Sequence, residues 1–149
     1  MTLRTMRRLG AIAILGIGAV HLQQYLGGYR SIPTIGTLFL LNAVSSGVVA
    51  IGLLAPVERI LHQRRAELTS GLLAGAGLAI AAGSLVALFV SENGTLFGFS
   101  ETGYRTVIVL AIIAEALAIV LLAPVAALSL KRAASGGSKP GMPRAVTSR

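Results

Sequence analysis

Residues 107–130 read VIVLAIIAEALAIVLLAPVAALSL, a nearly unbroken apolar run that holds one ionisable group, Glu115. About 20 apolar residues in a helix are enough to cross the ~30 Å hydrocarbon core of a bilayer, so this run predicts a transmembrane helix. Its only other polar residue is Ser129, near the end of the run. An ionised carboxylate near the middle of a membrane helix needs a partner, a proton or water. Glu115 is therefore the first candidate for a functional residue.

Three similar runs precede this one, and we predict spans at about residues 9–26, 37–55, 69–90 and 107–130. Hydrophobic residues make up 54% of the chain and charged residues 12%, a balance outside that of an ordinary soluble domain. The predicted fold is an all-α bundle of four transmembrane helices, formed by residues 1–130. The remaining residues, 131–149, are rich in Gly, Ser, Pro and basic residues and are predicted to be a disordered basic tail.

The distribution of basic residues predicts the orientation of the helices. Apart from Arg30 and Arg105, every Lys and Arg falls on the side of the two termini and of the connection between the second and third spans. Cytoplasmic loops carry such an excess, so both termini are predicted to be cytoplasmic, in a multi-pass protein of the cell inner membrane. A competing interpretation takes residues 1–20 as a cleaved signal peptide, although the polar HLQQ that follows offers no clear cleavage site.

Composition also argues against several function classes. The formal net charge of +8 is accounted for by the loops that orient the helices, so the lipid bilayer is the expected partner and nucleic acid is not. Cysteine is absent, which removes thiolate metal sites and thiol nucleophiles. No nucleotide-binding loop, metal-ligand spacing or Ser-His-acid pattern stands out. We therefore predict no catalytic residue and no metal ligand. The sequence does not indicate a cofactor. These observations favour a protein that is not an enzyme.

The third span carries a stripe of small residues at intervals of four, which are Gly71, Gly75, Ala79 and Gly83. Small residues let two helix backbones approach closely in a membrane, where apolar burial provides no drive for association. The stripe predicts tight packing against another helix of the same chain. Homodimerisation through the stripe is the alternative.

The few polar residues inside the spans lie at similar depths. At a rise of 1.5 Å per residue, His21, Asn42 and Ser84 each lie ~9 Å below the outer boundary of the hydrocarbon. Glu115 lies deeper, at ~16 Å. Helical side chains lean toward the N-terminus of their own helix, so His21 leans inward and Glu115 leans outward. We predict a direct or water-mediated contact between His21 and Glu115, completed by Asn42, with Tyr25 extending the polar stripe outward from His21.

Three interpretations of this polar layer stay open. The residues could be structural, because polar pairs between membrane helices often only hold the helices together. They could instead form a pocket that binds a ligand or a proton and opens to the outer face, since ionisable residues within a membrane usually mark pathways or sites. A charged contact to another subunit is the third interpretation.

All the aromatic residues map to the outer ends of the spans or to the outer connections. Membrane proteins usually carry aromatic residues at both interfaces. One explanation is that arginines anchor the inner side and aromatic residues the outer side. The other is that the outer connections fold into a small aromatic cap that covers a site or docks a partner.

Two segments resemble known proteins: residues 21–42, HLQQYLGGYRSIPTIGTLFLLN, and residues 98–105, GFSETGYR. They are similar to uncharacterised small four-helix membrane proteins of GC-rich bacteria, whose general plan is DoxX-like. The resemblance covers a minor part of the chain. It implies a four-helix bundle in a bacterial inner membrane, and it assigns no functional residue.

Three functional hypotheses follow from the sequence. The first is a non-enzymatic accessory or assembly subunit of a membrane complex, which would bind partner subunits or form a homo-oligomer. The second is a binding or transport protein for a small solute or a proton that uses the layer of His21, Asn42 and Glu115. The third is a component of a membrane oxidoreductase that holds a quinone or another cofactor near His21 and Tyr25.

Overall fold

The computed structural model of the chain describes residues 1–100 and 105–135. These residues form the helices α1 (Leu3–Leu26), α2 (Ile35–Leu54), α3 (Val57–Ile60), α4 (Gln63–Asn93) and α5 (Thr106–Ser135), with a 3₁₀ turn at Tyr29–Ser31. Four of them, α1, α2, α4 and α5, are long and apolar enough to cross a membrane. Over the described residues the chain is therefore helical, as a four-helix membrane bundle requires.

Three of the long helices extend well beyond the apolar runs that predict them. Helix α1 begins at Leu3 rather than near residue 9, α4 begins at Gln63 rather than near residue 69, and α5 continues to Ser135. None of these extensions contains Gly or Pro, so nothing in them interrupts the helical hydrogen bonds. Residues 131–135 are accordingly helical, although the sequence predicts a disordered tail from residue 131. The rest of that predicted tail, residues 136–149, lies outside the described residues.

The four long helices are arranged as a square in cross-section. Helix α1 packs against α2 and α5, and α4 packs against the same two neighbours. Helices α1 and α4 therefore face each other along one diagonal of the bundle, and they run parallel. Side chains that join them cross the centre of the molecule.

Helices α1 and α4 meet across this diagonal in a constant register. Arg7 donates a hydrogen bond to Ser70 over 3.0 Å, and His21 and Ser84 are hydrogen-bonded over 3.1 Å, both with a sequence separation of 63 residues. A third pair with the same separation lies halfway between them. The three pairs, in order along the helices, are Arg7 with Ser70, Ile14 with Gly77, and His21 with Ser84. Seven-residue steps of this kind keep the same faces of two parallel helices in contact.

The face of α4 that meets the diagonal consists of small residues, which are Ser70, Ala74, Gly77, Ala81 and Ser84. Of the stripe predicted from the sequence, Gly71 lies buried against Leu130 of α5. In contrast, Gly75 is partly exposed, Ala79 and Gly83 are exposed, and the space beside both glycines is open. Close packing within the chain thus uses positions that adjoin the predicted stripe.

An apolar layer separates the two polar pairs. Leu122 of α5 reaches between Gly10 and Gly77, and Ile14 and Leu53 are fully buried at the same layer. Glycine at positions 10 and 77 is what makes room for the two branches of the leucine side chain. The centre of the bundle is therefore closed by packed apolar groups.

We expect Gly77→Ala to destabilise the protein. The added methyl would stand 2.7 Å from Leu122 Cδ1, and the leucine cannot retreat because its other branch lies against Gly10. Overpacking of this kind costs ~1–3 kcal/mol, which should lower the thermal unfolding midpoint in mild detergent. The matched control is Gly75→Ala, where nothing lies within 4 Å and alanine favours the helix. Equal effects of the two substitutions would contradict the described packing.

Candidate functional site

The connections at one end of the bundle fold into an aromatic cap over His21. The Tyr29 ring stacks on Phe39 at a centroid distance of 4.7 Å and meets Phe99 edge-on at 5.6 Å. Phe39 in turn lies 5.0 Å from the His21 ring, and the Arg105 guanidinium donates a hydrogen bond to the Tyr29 hydroxyl. We call this the aromatic end of the bundle. Of the two sequence-based explanations for the aromatic residues, this arrangement favours a cap that covers a site.

His21 is buried, and both of its ring nitrogens have partners. Nδ1 lies 2.9 Å from the backbone carbonyl oxygen of Ile17, and Nε2 lies 3.1 Å from Ser84 Oγ. A carbonyl oxygen can only accept a hydrogen bond, so Nδ1 must carry a hydrogen. In a neutral ring Nε2 is then the acceptor, and Ser84 donates to it.

Glu115 reaches the same serine from α5. Its side chain is 1% exposed and lies close enough to Ser84 for a side-chain hydrogen bond. Its Oε2 atom is buried and has no hydrogen-bond partner among the described residues. The expected contact of Glu115 with His21 was direct or water-mediated, and the structure adds the Ser84 hydroxyl from the diagonal helix, which lies beside both groups.

The bridge allows only certain arrangements of hydrogen atoms. If His21 is neutral, the Ser84 hydroxyl donates to it and can only accept from Glu115, which must then be protonated. If His21 is protonated, it donates to Ser84, and the hydroxyl donates to an ionised Glu115. Both arrangements hold the same number of protons. They differ only in whether the shared proton sits on Glu115 or on His21. When that proton leaves, Ser84 can donate to only one of its neighbours, and one hydrogen bond is lost.

A cavity of about 260 Å³ opens beside this hydrogen-bonded chain. Its polar lining comes from His21, Asn42 and Ser84, and the remainder of its lining is apolar. The Asn42 side-chain oxygen accepts a hydrogen bond from Ser46 over 3.2 Å, which leaves its amide nitrogen for another partner. Tyr25 is half-buried and borders neither this cavity nor a smaller one of about 60 Å³ on the other side of His21.

The structure therefore brings His21, Ser84 and Glu115 together around the Ser84 hydroxyl, which is hydrogen-bonded to His21 and lies within reach of Glu115, and it places Asn42 on the wall of the adjoining cavity. Tyr25 stands apart, and its expected place above His21 is taken by Tyr29 and Phe39. The sequence pattern alone did not indicate that Tyr29 and Phe39, rather than Tyr25, lie over His21. It depends on the turn after α1, in which Gly28 adopts a positive φ of 140° that few other residues tolerate.

A second polar cluster lies at the opposite end of the bundle and is centred on Arg7. In the sequence, Arg7 served only as one of the basic residues that predict the orientation of the helices. Arg7 is 5% exposed. It donates to Ser70 over 3.0 Å and pairs with the Glu58 carboxylate at 2.7 Å. Its Nε atom is buried and has no partner among the described residues. One feature of the sequence could have predicted that Arg7 is buried: it lies two seven-residue steps before His21 and therefore on the same face of α1.

Comparisons with protein-family models, curated proteins and solved structures find no match to this chain. Among the described residues, no group of three His, Asp or Glu side chains could hold a metal ion. Fold and site together define a class, a small multi-pass helical protein with a buried His-Ser-Glu chain. Any more specific function has to be argued from these side chains.

The ion pair at the Arg7 end makes stability depend on pH through Glu58, which lies outside the membrane-spanning helices. Partial desolvation acts to raise the pKa of Glu58, but a backbone hydrogen bond, the hydrogen bond from Arg7 and the charges of Arg7 and Arg4 outweigh it and hold the pKa below 4.5. A folded-state pKa below the unfolded one means that the ionised carboxylate stabilises the fold. This contribution is fully present well above the unfolded-state pKa and is lost as the pH falls through the lower, folded-state pKa.

We expect Glu58→Gln to lower the thermal unfolding midpoint at neutral pH, because it leaves the buried Arg7 without an ionised partner. The difference from the wild type should shrink in acid, where the native Glu58 is itself protonated. The control is Glu67→Gln, whose partner Arg132 lies 3.7 Å away and is largely exposed, so little change is expected. A difference between Glu58→Gln and wild type that is constant with pH would contradict the ion pair.

Proposed function

We propose that this chain is a multi-pass protein of the cell inner membrane that binds a small solute at its aromatic end and exchanges a proton as it does so. Both termini are cytoplasmic in this proposal, so the aromatic end faces outward. The observation that carries the proposal is the Ser84 hydroxyl, which stands between His21 and Glu115 beside a cavity. This is the second of the hypotheses drawn from the sequence.

The hydrogen-bonded chain supplies a physical route for the coupling. A solute that donates a hydrogen bond to His21 Nε2 displaces the Ser84 hydroxyl from that nitrogen. The freed hydroxyl can then donate to Glu115 and stabilise its ionised form, so the Glu115 proton leaves. Binding and proton release are thus linked, and by reciprocity the affinity for the solute rises with pH.

The size and lining of the cavity narrow the class of solute. A volume of about 260 Å³ lies just below the range of roughly 300–1,000 Å³ for ligand pockets, so only a small solute fits. Its lining is mainly apolar, with the His21 imidazole and the Asn42 amide as hydrogen-bonding groups. These features favour a small amphiphilic molecule with a hydrogen-bond donor that can reach His21.

The apolar layer around Leu122 argues against an open channel. Ile14, Leu53 and Leu122 are fully buried between the two ends of the bundle, and packed apolar groups leave no path for water or protons. In this conformation the site exchanges with one face only. Delivery to the other face would need the contact of Leu122 with Gly10 and Gly77 to open.

A second candidate function, the accessory or assembly subunit, is favoured by the outward face of α4. Gly75, Ala79 and Gly83 lie along that face, with open space beside the two glycines. A small-residue face of this kind can accept a helix of another subunit or of a second copy. Stoichiometric partners that co-purify in mild detergent, and that are lost in Gly75→Leu, would support this candidate; a monomer in both cases would count against it.

We expect the proton-linked site to reveal itself in the small molecules that co-purify with the protein. Wild-type protein should retain its solute better at alkaline than at acidic pH, as measured by mass spectrometry after mild-detergent purification. Glu115→Gln has no proton to release, so its retention should not depend on pH. Ser84→Ala should lose the pH dependence, whereas Ser84→Thr, which keeps the hydroxyl, should preserve it.

Ser45→Ala serves as the control for substitutions of this kind, because Ser45 lies exposed on α2, away from the cavity. It should behave as the wild type. Absence of any co-purifying small molecule, or an unchanged pH dependence in Glu115→Gln, would contradict the proposal.

A further inference from the structure

The end of the bundle that holds Arg7 contains a second cleft, of about 290 Å³, outside the site described above. Three arginines line it, Arg4, Arg7 and Arg132, together with the carboxylates of Glu58 and Glu67. The formal charge of this lining is positive. A neighbouring cleft shares Arg132 and Glu67 with it and adds two more cations, Arg64 and Lys131.

Arg7 provides an unused hydrogen-bond donor at this cleft. Its two terminal nitrogens are engaged with Ser70 and Glu58, whereas its Nε atom is buried without a partner among the described residues. Leaving a buried donor of a charged group unsatisfied is costly. The wall of the cleft thus contains a guanidinium that is 5% exposed and keeps one unsatisfied donor.

The charges that line the cleft favour an anion as its ligand. Glu58 is already paired with Arg7 at 2.7 Å, so its charge is compensated within the protein. Glu67 lies 3.7 Å from Arg132, which is largely exposed and can turn toward a ligand. The three arginines face two carboxylates, so the lining keeps one uncompensated positive charge for an anion to neutralise, and the Ser129 hydroxyl and the Gln63 amide also line the cleft.

The depth of the cleft indicates which anion it meets. Arg7 precedes His21 by two seven-residue steps, which is ~21 Å along a helix. With His21 ~9 Å below one boundary of the hydrocarbon, Arg7 lies at the other boundary, ~30 Å away. Lipid phosphates lie just outside that boundary, within reach of an arginine side chain. The exposed side chain of Leu128 lines the neighbouring cleft and can contact acyl chains.

We propose that this cleft binds the phosphodiester headgroup of an anionic phospholipid from the leaflet at the Arg7 end of the bundle. Arg4 and Arg132 contact the phosphate, and the guanidinium of Arg7, held by Ser70 and Glu58 at the wall of the cleft, adds its positive charge. Basic pockets between membrane helices bind such headgroups. This site is independent of the proposed solute site, from which the apolar layer around Leu122 separates it.

The test uses the full chain extracted from bilayers of phosphatidylglycerol and phosphatidylcholine, with retained lipid measured by native mass spectrometry. We expect wild-type protein to retain phosphatidylglycerol in preference to phosphatidylcholine. The double variant Arg4→Gln/Arg132→Gln should retain it several-fold less. The control is Arg65→Gln, which removes an exposed charge from α4 that lines neither cleft, and it should retain lipid as the wild type does.

Three outcomes would overturn the proposal. One is equal retention of the two lipids by the wild type, and another is an equal loss in Arg65→Gln and in the double variant, which would indicate non-specific attraction. The third comes from an added arm with inorganic phosphate: if millimolar phosphate displaces the lipid fully, the cleft is a site for a free anion. Arg4→Gln alone, which leaves both ion pairs intact, covers the case in which the double variant does not fold; it should show a smaller loss in the same direction.

Discussion

Polar groups in a hydrocarbon layer have no water to satisfy them, and the contact between α1 and α4 shows how this chain meets that constraint. Its polar pairs are set two seven-residue steps apart, Arg7 with Ser70 and His21 with Ser84, and both cross the diagonal of the bundle. Between them the helices approach through Gly77, against which Ile14 and Leu122 pack. The other contacts of the core follow from this register, because α2 and α5 fill the two sides that it leaves open.

The sequence predicted the number and order of the long helices well, because apolar runs of sufficient length have few other stable solutions. It did not predict where α1 and α4 begin or where α5 ends. Hydropathy marks the part of a helix that lies in hydrocarbon, and a helix without Gly or Pro continues beyond that part. The sequence also did not predict the rotation of each helix about its own axis. Lipid-facing and core-facing residues are both apolar here, so Gly75 and Gly77 look alike in the sequence, whereas one faces outward and the other lies in the core.

The candidate site was more predictable than the packing, since ionisable residues within spans are rare and their depths can be counted along each helix. His21, Ser84 and Glu115 were expected at compatible levels, and they do meet. The bridging role of Ser84 could not be derived, because it depends on α1 and α4 being diagonal partners. The burial of Arg7 was missed for a related reason. An arginine next to a span usually snorkels to water, and only the fold brings Glu58 and Ser70 to it.

In the proposed site, His21 and Glu115 share one dissociable proton through Ser84. The chain contains only two histidines, so a His62→Gln background leaves the His21 imidazole as the sole histidine signal in an ¹⁵N NMR titration. We expect a change in the His21 nitrogen signals when the shared proton leaves, and loss of that step in Glu115→Gln, whose side chain donates to Ser84 at every pH. An identical His21 titration with and without the Glu115 carboxyl group would contradict it.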